Sequence, residues 1–134
     1  MAQHIDTLRA LFDAFNRRDF NDALRYAHPE IELHPGITEL DVARQYRGHE
    51  EVRRFFETIT DAWESYVVEP EETIDAPGDR VLVIERWRAR GREGIALAFE
   101  LTDVYTFRDG LIVRIDGYRD AAEALEAMAG PRTG

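Results

Sequence analysis

The sequence contains no cysteine, and this absence removes several kinds of chemistry at once. Without a thiol the chain forms no disulfide, no thiolate metal site and no cysteine nucleophile. Long apolar runs are also missing, since no stretch approaches the roughly 20 residues of a membrane-spanning helix. The N-terminus lacks a basic segment followed by an apolar run, so we expect no secretory signal. These absences predict a cytoplasmic protein with no membrane partner.

Positive charge is scarce as well. The chain has 17 Lys and Arg against 27 Asp and Glu, a formal net charge of −10. Nucleic acids and anionic membrane surfaces both attract basic faces, so neither is an expected partner. Hydrophobic residues make up 44% of the 134 residues and charged residues 33%, which is typical of a soluble globular protein. We therefore expect one domain over residues 1–134, large enough to bury a core.

Apolar residues recur at three- and four-residue spacing in two segments, which predicts two amphipathic helices. The first covers about residues 3–17, and the second is a long helix that follows Gly48. Asp19 is expected to cap a short helix between them. Asp120 opens a capping box for a last helix that ends at Ala129.

Alternating segments predict the strands, beginning with a short one that carries Ile31 and Leu33. Pro70 argues that the next strand lies at a sheet edge or contains a bulge. Helices followed by a run of strands predict an α+β fold class. We expect a cone-shaped α+β barrel, in which a strongly curved mixed or antiparallel sheet wraps the long helix and two N-terminal helices. Residues 36–47 lack a clear period and are expected to form a loop or lid. The four strands after the long helix are expected near residues 65–75, 81–90, 95–107 and 111–119.

The last hairpin carries a single carboxylate, Asp103, on an otherwise apolar face. A two-residue loop would place the apolar faces of its two strands on opposite sides of the sheet. A three-residue loop, 108–110, would place them on the same side, with Asp103 opposite Ile115. Because register follows the buried face, we expect the three-residue loop. Asp103 would then project into the apolar side of the sheet, where burial disfavours the charged form of a carboxyl.

The opposite face of the same strand is flat and only mildly polar. Such a face suits a contact between the sheets of two copies of the chain, so a homodimer through this face is expected. The face carries Ala98, Glu100, Thr102, Val104 and Thr106.

The order of elements and two motifs give the chain a resemblance to the nuclear-transport-factor-2-like superfamily, in particular its SnoaL-like branch. The motifs are YRGHE at 46–50, where the long helix begins, and FRDGLIV at 107–113 in the last hairpin. The branch includes polyketide cyclases and relatives of ketosteroid isomerase. The resemblance implies a cone whose opening holds small, often apolar ligands, and it implies that dimers are common. It implies no single reaction, because this fold hosts many activities and some proteins that are not enzymes.

Two members of the superfamily suggest roles for particular residues. The resemblance to ketosteroid isomerase places that enzyme's general base at His34 and its protonated oxyanion-hole acid at Asp103. The tyrosine of the same oxyanion hole falls on Leu11, which donates no hydrogen bond. The resemblance to limonene epoxide hydrolase places a catalytic arginine at Arg86, but the two catalytic aspartates fall on residues that are not carboxylates.

The inward face of strand 81–90 stays open at this stage. If the connection that follows has four residues, Arg86 faces the cavity and could bind a carboxylate ligand or neutralise Asp103. If it has three residues, Trp87 faces the cavity and forms an aromatic wall.

The favoured hypothesis is an enzyme that needs no cofactor and no metal. It would bind a small apolar carbonyl compound and move a proton next to the carbonyl, in an isomerisation, cyclisation or dehydration. His34 would be the base and Asp103 the acid or oxyanion donor. The alternative is a non-catalytic ligand-binding or dimeric accessory domain, with Asp103 locked to an arginine. The residues expected to bind substrate are Arg86, Trp87, Phe56, Phe99, Leu101, Tyr105, Ile115, Gly117 and Tyr118.

Overall fold

The computed structural model describes residues 2–36 and 44–129, and this part of the chain forms four helices and six strands. The predicted α+β class is confirmed, with two N-terminal helices, a long third helix and a mixed sheet. The expected loop or lid at 36–47 falls largely outside the described residues. In chain order the elements are α1 (Ala2–Asn16), α2 (Phe20–Leu24), β1 (Ala27–His34), β2 (Tyr46–Arg47), α3 (Gly48–Asp61), β3 (Trp63–Ala76), β4 (Arg80–Gly91), β5 (Ala96–Arg108), β6 (Leu111–Tyr118) and α4 (Ala121–Ala129).

The six strands form one sheet in the order β2-β1-β6-β5-β4-β3. Neighbours run antiparallel except β1 and β6, which are parallel and bring Leu33 beside Ile115. Strand β3 lies at the edge, and its pairing with β4 shifts between Pro70 and Glu72. Both features follow from the proline, which has no N–H to donate and is tolerated at edges and bulges.

The main core lies between helices α1 and α3 and one face of the sheet. In α3, Val52, Phe56 and Ile59 are buried on one side, as their three- and four-residue spacing predicts. Phe15 of α1 reaches the sheet, where its ring lies 5.9 Å from that of Trp87. Each large apolar side chain buried here stabilises the fold by about 1.5–3 kcal/mol. Within residues 2–36 and 44–129, no helix combines the length and apolar character that a membrane crossing needs.

Helix α4 covers part of the sheet's other face. Asp120 starts it as predicted, since its Oδ1 accepts a 2.8 Å hydrogen bond from the Glu123 amide. Ala124 then packs with Val104 in a second, smaller core. Val104 and Thr102 are each only 2% exposed within the single chain. They are therefore unavailable to a second copy, and the expected dimer face is reduced to its exposed end around Ala98.

The last hairpin corrects the predicted loop. Its loop has two residues, Asp109 and Gly110, because Arg108 pairs with Leu111. Both loop residues have positive φ, at 56° and 79°. An Asp-Gly pair suits this left-handed geometry, which matches the twist of the two strands. The prediction of a three-residue loop was therefore wrong.

A bulge in the same hairpin preserves the shared apolar face. The register shifts between Thr106 and Phe107, so that Tyr105 pairs with Ile115 and Asp103 pairs with Gly117. The expected pairing of Asp103 with Ile115 was wrong by two positions. Because two is the period of a strand, Asp103 still projects to the side on which Tyr105 and Ile115 are buried.

Candidate functional site

An apolar cavity lies between the sheet and helices α1 and α3. Its volume, counted as space that the centre of a water molecule can occupy, is about 70 Å³. That room corresponds to roughly five to seven waters, or one small ring. The wall is mostly apolar, and its polar members are His34, Glu85, Asp103, Tyr105 and Tyr118. The apolar and glycine members are Leu11, Phe12, Phe15, Leu33, Pro35, Gly36, Phe55, Phe56, Ile59, Val68, Trp87, Leu101, Ile115 and Gly117.

Glu85 is the functional candidate that sequence reasoning missed. It is only 2% exposed, although it is an acidic residue on an apolar wall. The hydroxyl of Tyr105 donates to its Oε2 at 2.7 Å, and the Trp87 indole N–H lies 3.4 Å from its Oε1. The sequence pointed to Glu85 only conditionally: Val83, Glu85 and Trp87 alternate along one strand, so Glu85 faces the cavity if Trp87 does.

Asp103 lies beside Glu85 on the neighbouring strand. In the β4–β5 ladder Asp103 pairs with Val83 and Glu85 pairs with Leu101, so the two carboxyls are diagonal neighbours on one face. They are hydrogen-bonded to each other. Two carboxylates in such a site cannot both ionise easily, because each disfavours the charge of the other.

Each carboxyl group therefore disfavours ionisation of the other, an arrangement that favours one proton on the pair. Burial, followed by the neighbouring Asp103 charge, raises the pKa of Glu85 well above its usual range. Burial also raises the pKa of Asp103, although a hydrogen bond from Glu85 opposes the rise. The rise is larger for Glu85, which is only 2% exposed, so a single proton on the pair is expected at Glu85. The pair titrates as a unit and keeps one proton into a higher pH range than an isolated carboxyl does.

Two glycines make room for this arrangement. A Cβ on Gly36 would lie 2.5 Å from the Gly117 carbonyl carbon, and a Cβ on Gly117 would lie 3.1 Å from the Asp103 Oδ1. Neither position accepts a side chain without displacement of its neighbours. The backbone contact closes one end of the cavity, and the bare Gly117 leaves space for the Asp103 carboxyl.

His34 lies at the mouth of the cavity. Its Nε2 is 3.2 Å from the Glu32 Oε1, and its side chain is 28% exposed. Glu32 also lies near Arg47 and Arg114, at 3.9 Å each. The hydrogen bond from His34 comes first among the causes that lower the pKa of Glu32. The structure thus places His34 and Asp103 in the wall of one cavity, but it engages the His34 ring with Glu32.

The inward face of β4 is settled by the connection after it. The Gly91 amide donates to the Ile95 carbonyl at 2.9 Å, which leaves three residues in the loop. Trp87 consequently pairs with Phe99 and faces inward. Arg86 faces the other side of the sheet, where it lies 3.2 Å from Glu71 and 3.6 Å from Glu100. Its assignment as a substrate-binding residue was wrong, because one step along a strand reverses the face.

Most of the other expected substrate-binding residues lie in the cavity wall. Phe99 is an exception: its ring stacks beside that of Trp87, with 5.8 Å between the centroids, but it does not line the cavity. Phe56, Trp87, Leu101, Tyr105, Ile115, Gly117 and Tyr118 line the cavity directly.

No group of three or more His, Asp or Glu side chains in the described part of the chain is arranged to hold a metal ion. The chemistry that the wall offers is proton transfer and hydrogen bonding, by a carboxyl pair and two phenols.

Comparison with protein-family models identifies the family of this chain. The model of the SnoaL-like domain matches residues 8–115, which is most of the chain. The chain belongs to the SnoaL-like family. This family is a branch of the nuclear-transport-factor-2-like superfamily, as the sequence motifs indicated. No curated protein matches the sequence at a significant level.

Solved structures share the fold along nearly the whole chain. TerC, co-crystallised with polyporic acid, is 23% identical with a TM-score of 0.77, over 96% of this chain and 99% of TerC. A protein of Burkholderia pseudomallei described as NTF2-like and of unknown function is 23% identical with a TM-score of 0.78, over 97% and 100% of the two chains. A Mycobacterium tuberculosis protein in complex with estradiol-17beta-hemisuccinate is 18% identical with a TM-score of 0.73, over 90% and 95%. At these identities the likeness concerns the fold alone.

Proposed function

We propose that this protein binds a small, mostly apolar carbonyl compound in the cavity and catalyses proton transfer at the carbon next to the carbonyl. The observation that carries the proposal is the Glu85–Asp103 pair, two carboxyls on neighbouring strands in one mostly apolar cavity wall, whose pKa values are both raised by burial. Two neighbours of the same fold hold cyclic organic ligands, polyporic acid and a steroid ester, which supports small-molecule binding as the general role.

The pair supplies both a base and an acid. Asp103, the less buried member, is the carboxylate that takes a proton from the carbon of the substrate. Glu85 keeps the shared proton. As Asp103 becomes neutral by taking the proton from the substrate carbon, the Glu85 O–H turns from Asp103 to the enolate oxygen, where the negative charge develops. The proton then returns to the same or another carbon, so that no cofactor is consumed. A carboxyl with a raised pKa is suited to this work near neutral pH.

The proposal changes one role that the sequence suggested. His34 was expected to be the general base, but its Nε2 is engaged by Glu32 at 3.2 Å. Asp103 has the apolar surroundings that strengthen a base, so we assign the proton abstraction to Asp103. His34 is left as a residue of the cavity mouth.

Deuterium exchange tests the proposal directly. Acetophenone, a single-ring ketone with exchangeable methyl hydrogens, is incubated with the protein in heavy water, and the methyl signal is followed by NMR. We expect exchange above the buffer rate, and we expect Asp103→Asn to reduce the enhancement by about a hundredfold or more, which is typical of losing a general base. Asp22→Asn removes a carboxylate on α2 that is 24% exposed, pairs with Arg17 and Arg25 and does not line the cavity, so it should keep the wild-type rate.

The non-catalytic alternative predicts a different result. In that case acetophenone binds, as detected by shifts of the Trp87 and Tyr105 resonances, and exchange stays at the buffer rate for wild type and variants alike. That outcome would contradict the proposed catalysis while leaving ligand binding in place.

A further inference from the structure

The charges around the cavity are one-sided. Among its described lining residues two are carboxylic acids, Glu85 and Asp103, and none is arginine or lysine. The imidazole of His34 is held by Glu32 at the mouth.

Within the described residues, no basic side chain lowers the pKa of either carboxyl, and the charge of Asp116 raises the pKa of Asp103 further. Tyr105 and the Trp87 indole donate neutral hydrogen bonds, and both go to Glu85. The partner that Asp103 has is Glu85, and not the arginine that a purely structural pair would need. A buried charge without a counter-charge is costly, because the apolar wall does not replace the water that it lost. A positively charged ligand would reduce that cost, and a negatively charged ligand would add to it.

The walls suit a cation that carries one ring. Aromatic residues from α1, α3, β4 and β5 line the space, among them Phe12, Phe56, Trp87 and Tyr105. Ring faces attract organic cations, most strongly where water is excluded. The volume of about 70 Å³ limits the occupant to roughly a single-ring compound.

We propose that the cavity selects its ligand by charge, and that it binds a small single-ring organic ammonium ion at Asp103 in preference to neutral or anionic compounds of the same shape. The inference rests on the proposed ligand-binding function and narrows it, because carbonyl substrates that are neutral or carry an amine fit, and carboxylic acids do not. Binding of the ammonium ion favours ionisation of both carboxyls. The shared proton then leaves Glu85 and passes to the buffer.

Three ring compounds of similar shape and different charge test this inference. Binding of benzylamine, benzyl alcohol and benzoate is measured by isothermal titration calorimetry at about pH 7.5, where an alkyl amine is protonated. We expect benzylamine to bind about tenfold or more tightly than benzyl alcohol, and benzoate to bind more weakly than both. Repeating the titration in buffers of different ionisation enthalpy counts protons. Benzylamine should release protons, and benzyl alcohol should release none.

Two variants separate the cavity from the general acidity of the protein. The double variant Glu85→Gln/Asp103→Asn removes the charge and should bring the affinities for benzylamine and benzyl alcohol within about twofold of each other. Asp22→Asn removes a partly exposed carboxylate that does not line the cavity and should keep the full preference. Circular dichroism measures whether each variant is folded. If the double variant alone is unfolded, proton release on benzylamine binding to wild type decides the matter.

Several outcomes would overturn the inference: equal or tighter binding of benzyl alcohol or benzoate, absence of binding by all three, or loss of the preference in Asp22→Asn. The proposed catalysis is judged separately. If the protein exchanges the acetophenone hydrogens but binds benzylamine no better than benzyl alcohol, only the proposed charge selection is contradicted. If it prefers benzylamine but exchanges no hydrogens, only the proposed catalysis is contradicted.

Discussion

Replacing Glu85 with glutamine should stabilise the protein increasingly as the pH rises. In the unfolded chain both carboxyls ionise in the ordinary acidic range, whereas the folded chain keeps one proton on the Glu85–Asp103 pair. A carboxyl whose pKa is raised by folding stabilises the folded state below its unfolded pKa, and that contribution is lost as the pH rises through the folded pKa. The wild type therefore loses stability over this window. The Glu85→Gln variant has no proton to lose there.

The slope follows from the number of protons. One proton held by the folded state and not by the unfolded state changes the free energy of unfolding by about −1.4 kcal/mol per pH unit. The window opens just above 4.5, the ordinary pKa of glutamate, and closes at the raised pKa of the pair. Below the window protonated glutamate is neutral like the amide, so the variant and the wild type should differ there by no more than about 1 kcal/mol.

Urea denaturation at half-unit steps from about pH 4 to pH 8 measures both proteins. The informative quantity is the difference in unfolding free energy, because groups common to both proteins cancel. Asp22→Asn is the matched control: the hydrogen bond from Arg17 lowers the pKa of Asp22, so its folded and unfolded states are both ionised above about pH 5 and its curve should run parallel to wild type. A flat difference for Glu85→Gln above about pH 5 would mean that Glu85 ionises normally, and would refute the shared proton.

Further predictions concern the packing and the faces of the sheet. Gly117→Ala should cost about 2 kcal/mol in urea denaturation, because the new Cβ overlaps Gly36 and approaches the Asp103 Oδ1 to 3.1 Å. Gly91→Ala, whose nearest contact would be an ordinary 3.8 Å to the Ile95 carbonyl, should cost far less, and equal costs would show that the Gly36–Gly117 contact is not tight. Tyr105→Phe should cost about 1–2 kcal/mol and raise the pKa of Glu85 further, since the hydroxyl that lowers it is removed; an unchanged titration of Glu85 by NMR would count against that hydrogen bond. Arg86→Ala should change the acetophenone exchange rate by less than about twofold, because the ion pairs of Arg86 are exposed and lie on the far side of the sheet. A large loss of exchange would mean that Arg86 acts on the substrate after all.

The elements of the fold could be predicted from the sequence because each rests on a local signal. Three- and four-residue spacing marks α1 and α3, Pro70 marks the edge strand, and Asp120 marks the start of α4. The faces of the strands were harder, since one residue in a loop or one bulge reverses them. The hairpin at Asp109-Gly110 shows this, because an incorrect loop length and an unforeseen bulge compensated each other and left Asp103 on the expected side.

The candidate site was only partly accessible from the sequence. Asp103 could be found because it interrupts the apolar face of its strand, and the apolar face of the next strand showed that this face is buried. Glu85 could not, because either Glu85 and Trp87 or Arg86 and Arg88 could face inward from β4. The choice depends on whether the loop that follows has three or four residues, which the sequence leaves open. The engagement of His34 by Glu32 was within reach of the sequence, since residues two apart on one strand share a face.

The protonation of Glu85 and Asp103 in the intact protein tests the central claim most directly. Carbon-detected NMR follows the side-chain carboxyl signals of both residues across pH, with the glutamate and aspartate variants used for assignment. We expect one of the two to keep its proton through neutral pH, and the two signals to shift together, as in a pair that titrates as a unit. Two independent transitions near pH 4 would mean two ordinary carboxylates, and would contradict the proposed acid–base function of the cavity.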